Sequence, residues 1–387
     1  MIDIFTKSNY PPAESKIPLY SLAAALRSGG QDFRQRLRGF LGVEHCVLGS
    51  STRALLSTLL ARLGERHRER DEVLIPGYTC YSVAAAAARA GLKVGVYDLD
   101  PVTFRPDMDT LKGRMSGRTL AVLTQHLFGI PTPMGEVMAA AREHGIPVID
   151  DAAQAFGGVA GGSPVGTQGD YGLYSFGRGK PLPLGGGGAL IGRDAPLMGT
   201  IHMGQKRWDW AGFVQAAMLQ ALSHPRVYGL MEALPLGLGE TVFDPGFTVG
   251  GMGVSLQRIG SSALGSLHRL NAHRRAVSQV YRERMRNGLD ERVMEGGAPV
   301  FPRFPVLAGA GEIPPGLKAL GVRRMYPKAI ADVPVIMPHL AGRDLETPGA
   351  RAIARTLITL PTHVRISTDL AAEIARQVNT EYGSART

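Results

Sequence analysis

Across its first two hundred residues the chain alternates short apolar runs with helix-like segments, and this alternation limits the possible folds more than any other feature. "VLIP" (73–76) reads as a buried strand, and "SVAAAAARAG" (82–91) as an alanine-rich helix ending on glycine. "KVGVYDLD" (93–100) and "TLAVLTQH" (119–126) are strand-like. A helix follows through "MGEVMAAAREHG" (134–145), then the strand "PVIDD" (147–151). "DYGLYSF" (170–176) and "GALIG" (188–192) add two more. Strands alternating with helices imply a mostly parallel sheet covered on both faces. In such sheets ligands gather at the carboxyl ends of the strands.

Beyond residue 200 the pattern changes. Residues 200–245 are Met- and Leu-rich and helical in character, with proline and glycine breaks. They read as a helical connection packed on the core, or as a surface for a partner subunit or an apolar substrate tail. A long helix fits 255–285, with apolar residues at helical spacing. A second α/β unit, including "LITLPTHV" (357–364), closes the chain. At 387 residues a single compact domain would be unusual. The expected division is a large domain, 1–245, with a helical insertion at about 200–245, and a smaller C-terminal α/β domain, 246–387, that includes the long linking helix.

Charge and composition exclude several classes. The formal net charge is +10, but its basic groups are small and mixed with acids or apolar residues. No aromatic-interleaved basic motif appears, which argues against nucleic acid and leaves attraction of an anionic small substrate. Two cysteines provide neither a disulfide framework nor a metal-spaced cluster. The N-terminus lacks the pattern of a secretory signal. The most apolar stretch, 211–225, is too short and too polar for a transmembrane segment. The expected location is cytoplasmic.

Chemistry concentrates at the strand ends. "YSFGRGKPLPLGGGGALIG" (174–192) holds one lysine, Lys180, between an aromatic strand and four glycines. A glycine run is entropically costly in an ordered domain. It is either a loose surface loop or a place where backbone must approach a ligand closely. "CVLGSSTRALLSTLL" (46–60) puts Gly49, Ser50, Ser51 and Thr52 where a strand passes into a helix, which caps the helix and can also bind phosphate. "VIDDAAQAFGG" (148–158) ends a buried strand on Asp150 and Asp151. A carboxylate there calls for a cation or a protonated nitrogen, although Asp150 can equally be a cap. Phosphate cradle, strand-end acid and isolated lysine are the parts that pyridoxal 5'-phosphate requires. Lysine condenses with its aldehyde, and an aspartate keeps the ring nitrogen protonated.

These segments make the chain recognisable. It resembles the DegT/StrS-type (DegT/DnrJ/EryC/StrS) sugar aminotransferases, which are pyridoxal phosphate enzymes of fold type I. The likeness runs through 42–55, 71–87, 126–134, 144–158 and 169–192, and more weakly through "RMYPKAI" (324–330) and 357–364. The resemblance implies an α/β fold with a mostly parallel, seven-stranded-type sheet. It implies Lys180 as the residue bonded to the cofactor, Asp151 on the pyridine nitrogen and Gln154 on the phenolic-oxygen side. Ser175, Ser51 and Thr52 would hold the phosphate. A homodimer is implied, with an amino acid donor and a nucleotide-linked keto sugar as substrates.

Departures from the family pattern gather around the substrate. Cys80 stands where an aromatic or similar side chain usually stacks on the cofactor, leaving Tyr78, Tyr81 or the thiol itself to fill that place. Gly186 replaces the usual glutamate of the glycine turn. The asparagine that usually reaches the partner subunit's cofactor has no counterpart in "FTVGGMGVSL" (247–256). Two other readings accompany the aminotransferase. One is a sugar dehydratase, which has histidine in place of the lysine. The other is a regulatory or partner-binding member without catalysis.

Overall fold

The computed structural model describes residues 9–13, 16–26, 32–204, 209–222, 224–225, 228, 242–342 and 345–383. Eleven strands are labelled here in chain order. They are β1 His45–Gly49, β2 Glu72–Pro76, β3 Lys93–Tyr97, β4 Thr119–Gln125 and β5 Val148–Asp151; β6 Val159–Ala160 and β7 Ser163–Pro164; then β8 Tyr171–Ser175, β9 Gly188–Gly192, β10 Arg303–Leu307 and β11 Leu357–Pro361. Seven of them form one sheet in the order β1-β9-β8-β5-β4-β2-β3. The pairs from β3 through to β8 are parallel, whereas β9 runs antiparallel to both β8 and β1. The expected mostly parallel, seven-stranded sheet is therefore present. Its inner strand β4 is buried at every position, as its near-continuous apolar sequence requires of a strand covered on both faces.

Helices α1 Leu19–Ala25, α2 Phe33–Leu41, α3 Thr52–Arg66 and α4 Tyr81–Arg89 come first. Leu55, Leu56, Leu59, Leu60 and Leu63 of α3 and the alanine run of α4 are buried in the same core as the sheet. Small alanines let α4 lie close to the strands, and Gly91, at φ +78°, ends its turn in the left-handed region.

The helix expected over 255–285 is two helices, Val254–Ala263 and Leu267–Arg284, joined by a 3₁₀ turn at Leu264–Ser266. Apolar periodicity does not register such a turn, because its residues stay on the buried face. In the 200–245 segment, Trp210–Leu222 is helical. Phe213 and Ala216 pack on the core, while Trp210, Val214 and Met218, four residues apart, are exposed. Most of 223–241 lies outside the described residues. No helix among the described residues is long and apolar enough to cross a membrane.

The C-terminal unit carries the antiparallel pair β10–β11 and the helices Pro348–Thr356 and Thr368–Tyr382. Tyr10 donates its N–H to Ala319 O at 2.8 Å, so this residue lies on the unit too. One buried carboxylate joins it to the large sheet. Asp98, just past β3, accepts from Gly349 N at 2.8 Å and Ala350 N at 2.7 Å at the start of helix Pro348–Thr356. The helix dipole favours that negative charge. Asp98→Ala strands two buried N–H groups and is expected to cost about 2–3 kcal/mol. Equilibrium denaturation checks this, and Asp98→Asn should recover only part of the loss.

Candidate active site

Because β9 lies between β8 and β1, its first residue meets both neighbours. Gly188 is in register with Ser175 on one side and Gly49 on the other. The glycine turn that leads into β9 is thereby pressed against the start of α3. Gly187 donates its N–H to Ser50 O at 3.0 Å and accepts from Phe176 N at 3.0 Å. Gly185 and Gly187 have φ of +92° and +89°, a region open to glycine but strained for other residues. A Cβ on Gly188 would lie 2.7 Å from Thr52 Oγ1 and 2.9 Å from both Thr52 N and Tyr174 O. The run is thus an ordered close approach of backbone to backbone, not a loose loop. Gly186 differs, since a Cβ there would make ordinary contact with Leu256 at 3.4 Å.

Ser51 is the N-cap of α3, and its hydroxyl accepts from Ala54 N at 3.2 Å. Thr52 donates its hydroxyl proton to Tyr174 O at 3.0 Å, so toward the cavity it can offer its N–H but not its O–H. Ser175 Oγ accepts from Gly177 N at 3.4 Å and keeps its own proton to donate. Ser50 Oγ is buried without a partner among the described residues. Hydroxyl and N–H donors at a helix N-terminus suit an anion.

Opposite this cradle, β5 ends on two carboxylates with different fates. Asp150 is fully buried and satisfied by protein. Its Oδ1 is 2.5 Å from His126 Nε2, and its Oδ2 accepts from Gln168 N and Gly169 N at 3.1 and 3.3 Å. His126 Nδ1 accepts from Thr132 N at 2.9 Å, which assigns the ring proton to Nε2, facing Asp150. Asp150 is therefore not a cap for the turn that follows. Asp151 points to the other face, into the cavity. Its Oδ1 accepts from Ala153 N at 2.9 Å. Burial pushes its carboxyl above the ordinary aspartate value, against the pull of that N–H, of Lys180 and of His126.

Lys180 lies on the β8–β9 connection and faces the same cavity, of about 200 Å³. Ser51, Thr52, Cys80, Asp151, Gln154 and Ser175 line it as well, so all seven residues singled out from the sequence converge. Gln154 is oriented by its bonds. Its Oε1 accepts from Phe128 N at 3.2 Å, and its Nε2 donates to Tyr326 Oη at 3.3 Å. Cys80 opens α4 without a side-chain cap, and its Sγ accepts from Ser82 Oγ at 3.0 Å.

Neither Tyr78 nor Tyr81 takes the place beside Cys80. Tyr78 donates to Met325 O, and Tyr81 exchanges hydrogen bonds with the backbone of Lys328. Together they hold the 325–328 segment so that Tyr326, 5.4 Å from the Tyr78 ring, lines the cavity instead. His126, Gln125 and Arg53 also line it and carried no role in the sequence reading. The available signal was a pair of polar residues, Gln125 and His126, closing an otherwise apolar strand at its carboxyl end. Gln125 bonds Thr79 Oγ1 and Tyr78 O, fixing the loop that bears Cys80. Arg53 lies 4.7 Å over the Phe247 ring, which shares the contact with Arg89.

This donor set fits pyridoxal phosphate. An anion cradle, a carboxylate raised by burial and an amine face one another across a single cavity, and among the described residues Lys180 has no ion pair. The raised carboxyl has a stability consequence. Between the unfolded value, about 3.9, and the higher folded one, the native state binds more protons than the unfolded state. Stability therefore falls as pH rises through that window, and the loss persists at neutral pH. Asp151→Asn in the cofactor-free protein should melt higher than the parent at pH 7, with the gap closing near pH 4. Thermal melts at the two pH values check this, and a lower melting temperature at pH 7 would contradict it.

The family model described as the DegT/DnrJ/EryC1/StrS aminotransferase family matches residues 26–379. Protein MosB of Rhizobium meliloti is 32% identical over 195 residues, 48% of this chain and 38% of that protein. A UDP-N-acetyl-3-dehydro-alpha-D-glucosamine 3-aminotransferase of Acidithiobacillus ferrooxidans is 34% identical over 188 residues, 48% of this chain and 50% of that enzyme. The chain thus spans about half the length, or less, of these curated relatives. In structure it is similar to DesI crystallised with its TDP-sugar product, at TM-score 0.74 and 23% identity, covering 99% of this chain and 95% of the other. At that identity the likeness establishes the fold.

Proposed function

The chain belongs to the DegT/DnrJ/EryC1/StrS aminotransferase family, and from that premise we propose that it transfers an amino group from an amino acid such as glutamate to a keto sugar. Pyridoxal 5'-phosphate is the cofactor and a nucleotide-linked sugar the acceptor, in polysaccharide or natural-product sugar biosynthesis. The active form is a cytoplasmic homodimer. One observation carries the reading: Lys180 and Asp151 face one cavity whose other wall is the Ser51–Thr52–Ser175 cradle. The sugar aminotransferase relative supports the acceptor class.

When bound, pyridoxal phosphate supplies an aldehyde that exchanges between amines and a ring that takes up the electron pair released at the neighbouring carbon. The protein does the rest. Ser51, Ser175 and the Thr52 N–H hold the phosphate at the positive end of α3. Asp151 would accept a hydrogen bond from the protonated ring nitrogen, a partner that favours its charged form against the burial. Gln154 turns an N–H toward the phenolic oxygen, because Phe128 N fixes which end of its amide is oxygen. With pyridoxal phosphate bound, Lys180 Nζ would be the amine that holds its aldehyde and, once displaced by the donor amine, the base that takes the donor's α-carbon proton; in the second half of the transfer it would return a proton to the carbon that receives the amine. A lysine at 180 disfavours the dehydratase reading, which has histidine there.

Purified protein with pyridoxal phosphate is expected to show a visible absorption band that L-glutamate shifts. Lys180→Ala should slow that shift by about 10²- to 10⁴-fold. A band that forms but ignores amino donors would favour the regulatory reading instead.

A further inference from the structure

Two hydrogen-bond donors of the C-terminal unit, one lining the cavity and one on the strand that starts beside it, have no acceptor among the described residues. Tyr326 Oη accepts from Gln154 Nε2, so its own proton remains unspent. Arg303, the first residue of β10, is partly buried and makes no hydrogen bond or ion pair among the described residues. Two other buried or partly buried arginines do donate to the protein. Arg274 donates to Pro181 O and Asn271 Oδ1, and Arg324 to carbonyls of Gly309, Gly311 and Arg355. A guanidinium left unpaired at such depth is costly unless something outside the chain meets it.

The backbone brings both groups to the site. A Cβ on Gly129 would lie 2.8 Å from Gln154 O and equally 2.8 Å from Pro302 Cδ, so the start of β10 abuts Gln154. Val300 N reinforces this by donating to Gly129 O at 3.0 Å. The same region collects strain. Phe128, Phe301 and Tyr326 all have positive φ, at 57°, 49° and 43°. Non-glycine residues held there mark positions that the surrounding structure over-determines, and such positions cluster at ligand sites. Charge agrees with geometry. Burial draws the Arg303 guanidinium down to about 10, and of the groups that act on it Tyr326 and Tyr228 are phenols while Arg323 and Arg178 are cations. No carboxylate is among them.

An acceptor that brings negative charge completes unspent donors and a cation without an acid better than water does. We propose that Arg303 and Tyr326 form an oxyanion-binding subsite at the edge of the Lys180 cavity, which receives an anionic group of the substrate: the carboxylate of the amino donor or a phosphate of the sugar's carrier. The subsite deepens the aminotransferase reading and rests on it for the identity of the substrate, though not for the binding of an anion. The guanidinium supplies a planar fork to two oxygens, and the phenol supplies one further donor.

Calorimetric titration of the cofactor-loaded protein with glutarate, a dicarboxylate without an amine, and separately with inorganic pyrophosphate tests this. The wild type should bind at least one. Arg303→Gln should weaken that binding by about tenfold or more, Tyr326→Phe by about two- to tenfold, and Arg303→Lys by less than Arg303→Gln. Selective loss of glutarate assigns the donor carboxylate, and selective loss of pyrophosphate assigns the carrier phosphate. An unchanged visible band in each variant shows that fold and cofactor site are intact. No binding by the wild type, or equal binding by Arg303→Gln, overturns the proposal. Whether glutamate shifts the wild-type band is read independently, so failure of the aminotransferase reading is distinguishable.

Discussion

The site depends on one close approach: the glycine turn 185–188 lying backbone to backbone against the start of α3. Strand β9 is antiparallel in a sheet whose inner pairs are parallel, and it is inserted between β8 and β1. That insertion forces the β8–β9 connection, which carries Lys180, to fold back over the carboxyl ends of the strands. Three side-chain-free positions make the return possible, two through positive φ and one through lack of space. The entropy cost of those glycines is a cost of placing an amine opposite a helix N-terminus.

Adjacent aspartates show how the protein separates structural from chemical charge. Alternation along β5 sends Asp150 and Asp151 to opposite faces. Asp150 is met by His126 and two backbone N–H groups, which pin the strand ends β4 and β5 together. Asp151 keeps one N–H and faces the cavity, where its charged form is held at the expense of stability. A residue in that condition is suited to a ligand that brings its own proton. On the C-terminal unit, Arg274 donates to Pro181 O and Asn271 Oδ1, whereas Arg303 makes no hydrogen bond among the described residues.

Much of this was legible in the residues, because the large sheet obeys local rules. "GALIG" and "PVIDD" declare their strands by composition and flanking turns, and Ser51 declares a helix start by its capping hydroxyl. Asp151 and Ser175 could be read because each ends such an element, and Lys180 because it stands alone between a strand and a glycine run. What stayed hidden depends on contacts between distant segments. Tyr326 reaches the cavity only because Tyr78 and Tyr81, nearly 250 positions earlier, bond the backbone on either side of it. Seen from sequence alone, those two tyrosines were the better candidates for the cavity, since they flank Cys80. The break at Leu264–Ser266 and the pairing of His126 with Asp150 were equally out of reach, one preserving the apolar stripe and the other requiring two strands to be placed side by side.

The central claim is that Lys180 is the amine to which pyridoxal phosphate bonds, and the chain offers a direct way to read it. Trypsin cleaves after Arg178 and Arg193 but not between Lys180 and Pro181, so the peptide from Gly179 to Arg193 holds Lys180 as its single lysine. The protein would be incubated with the cofactor, reduced with borohydride, digested and weighed peptide by peptide. The account predicts that the mass of one reduced cofactor appears on that peptide alone. A label on other lysines with this peptide unmodified would contradict it.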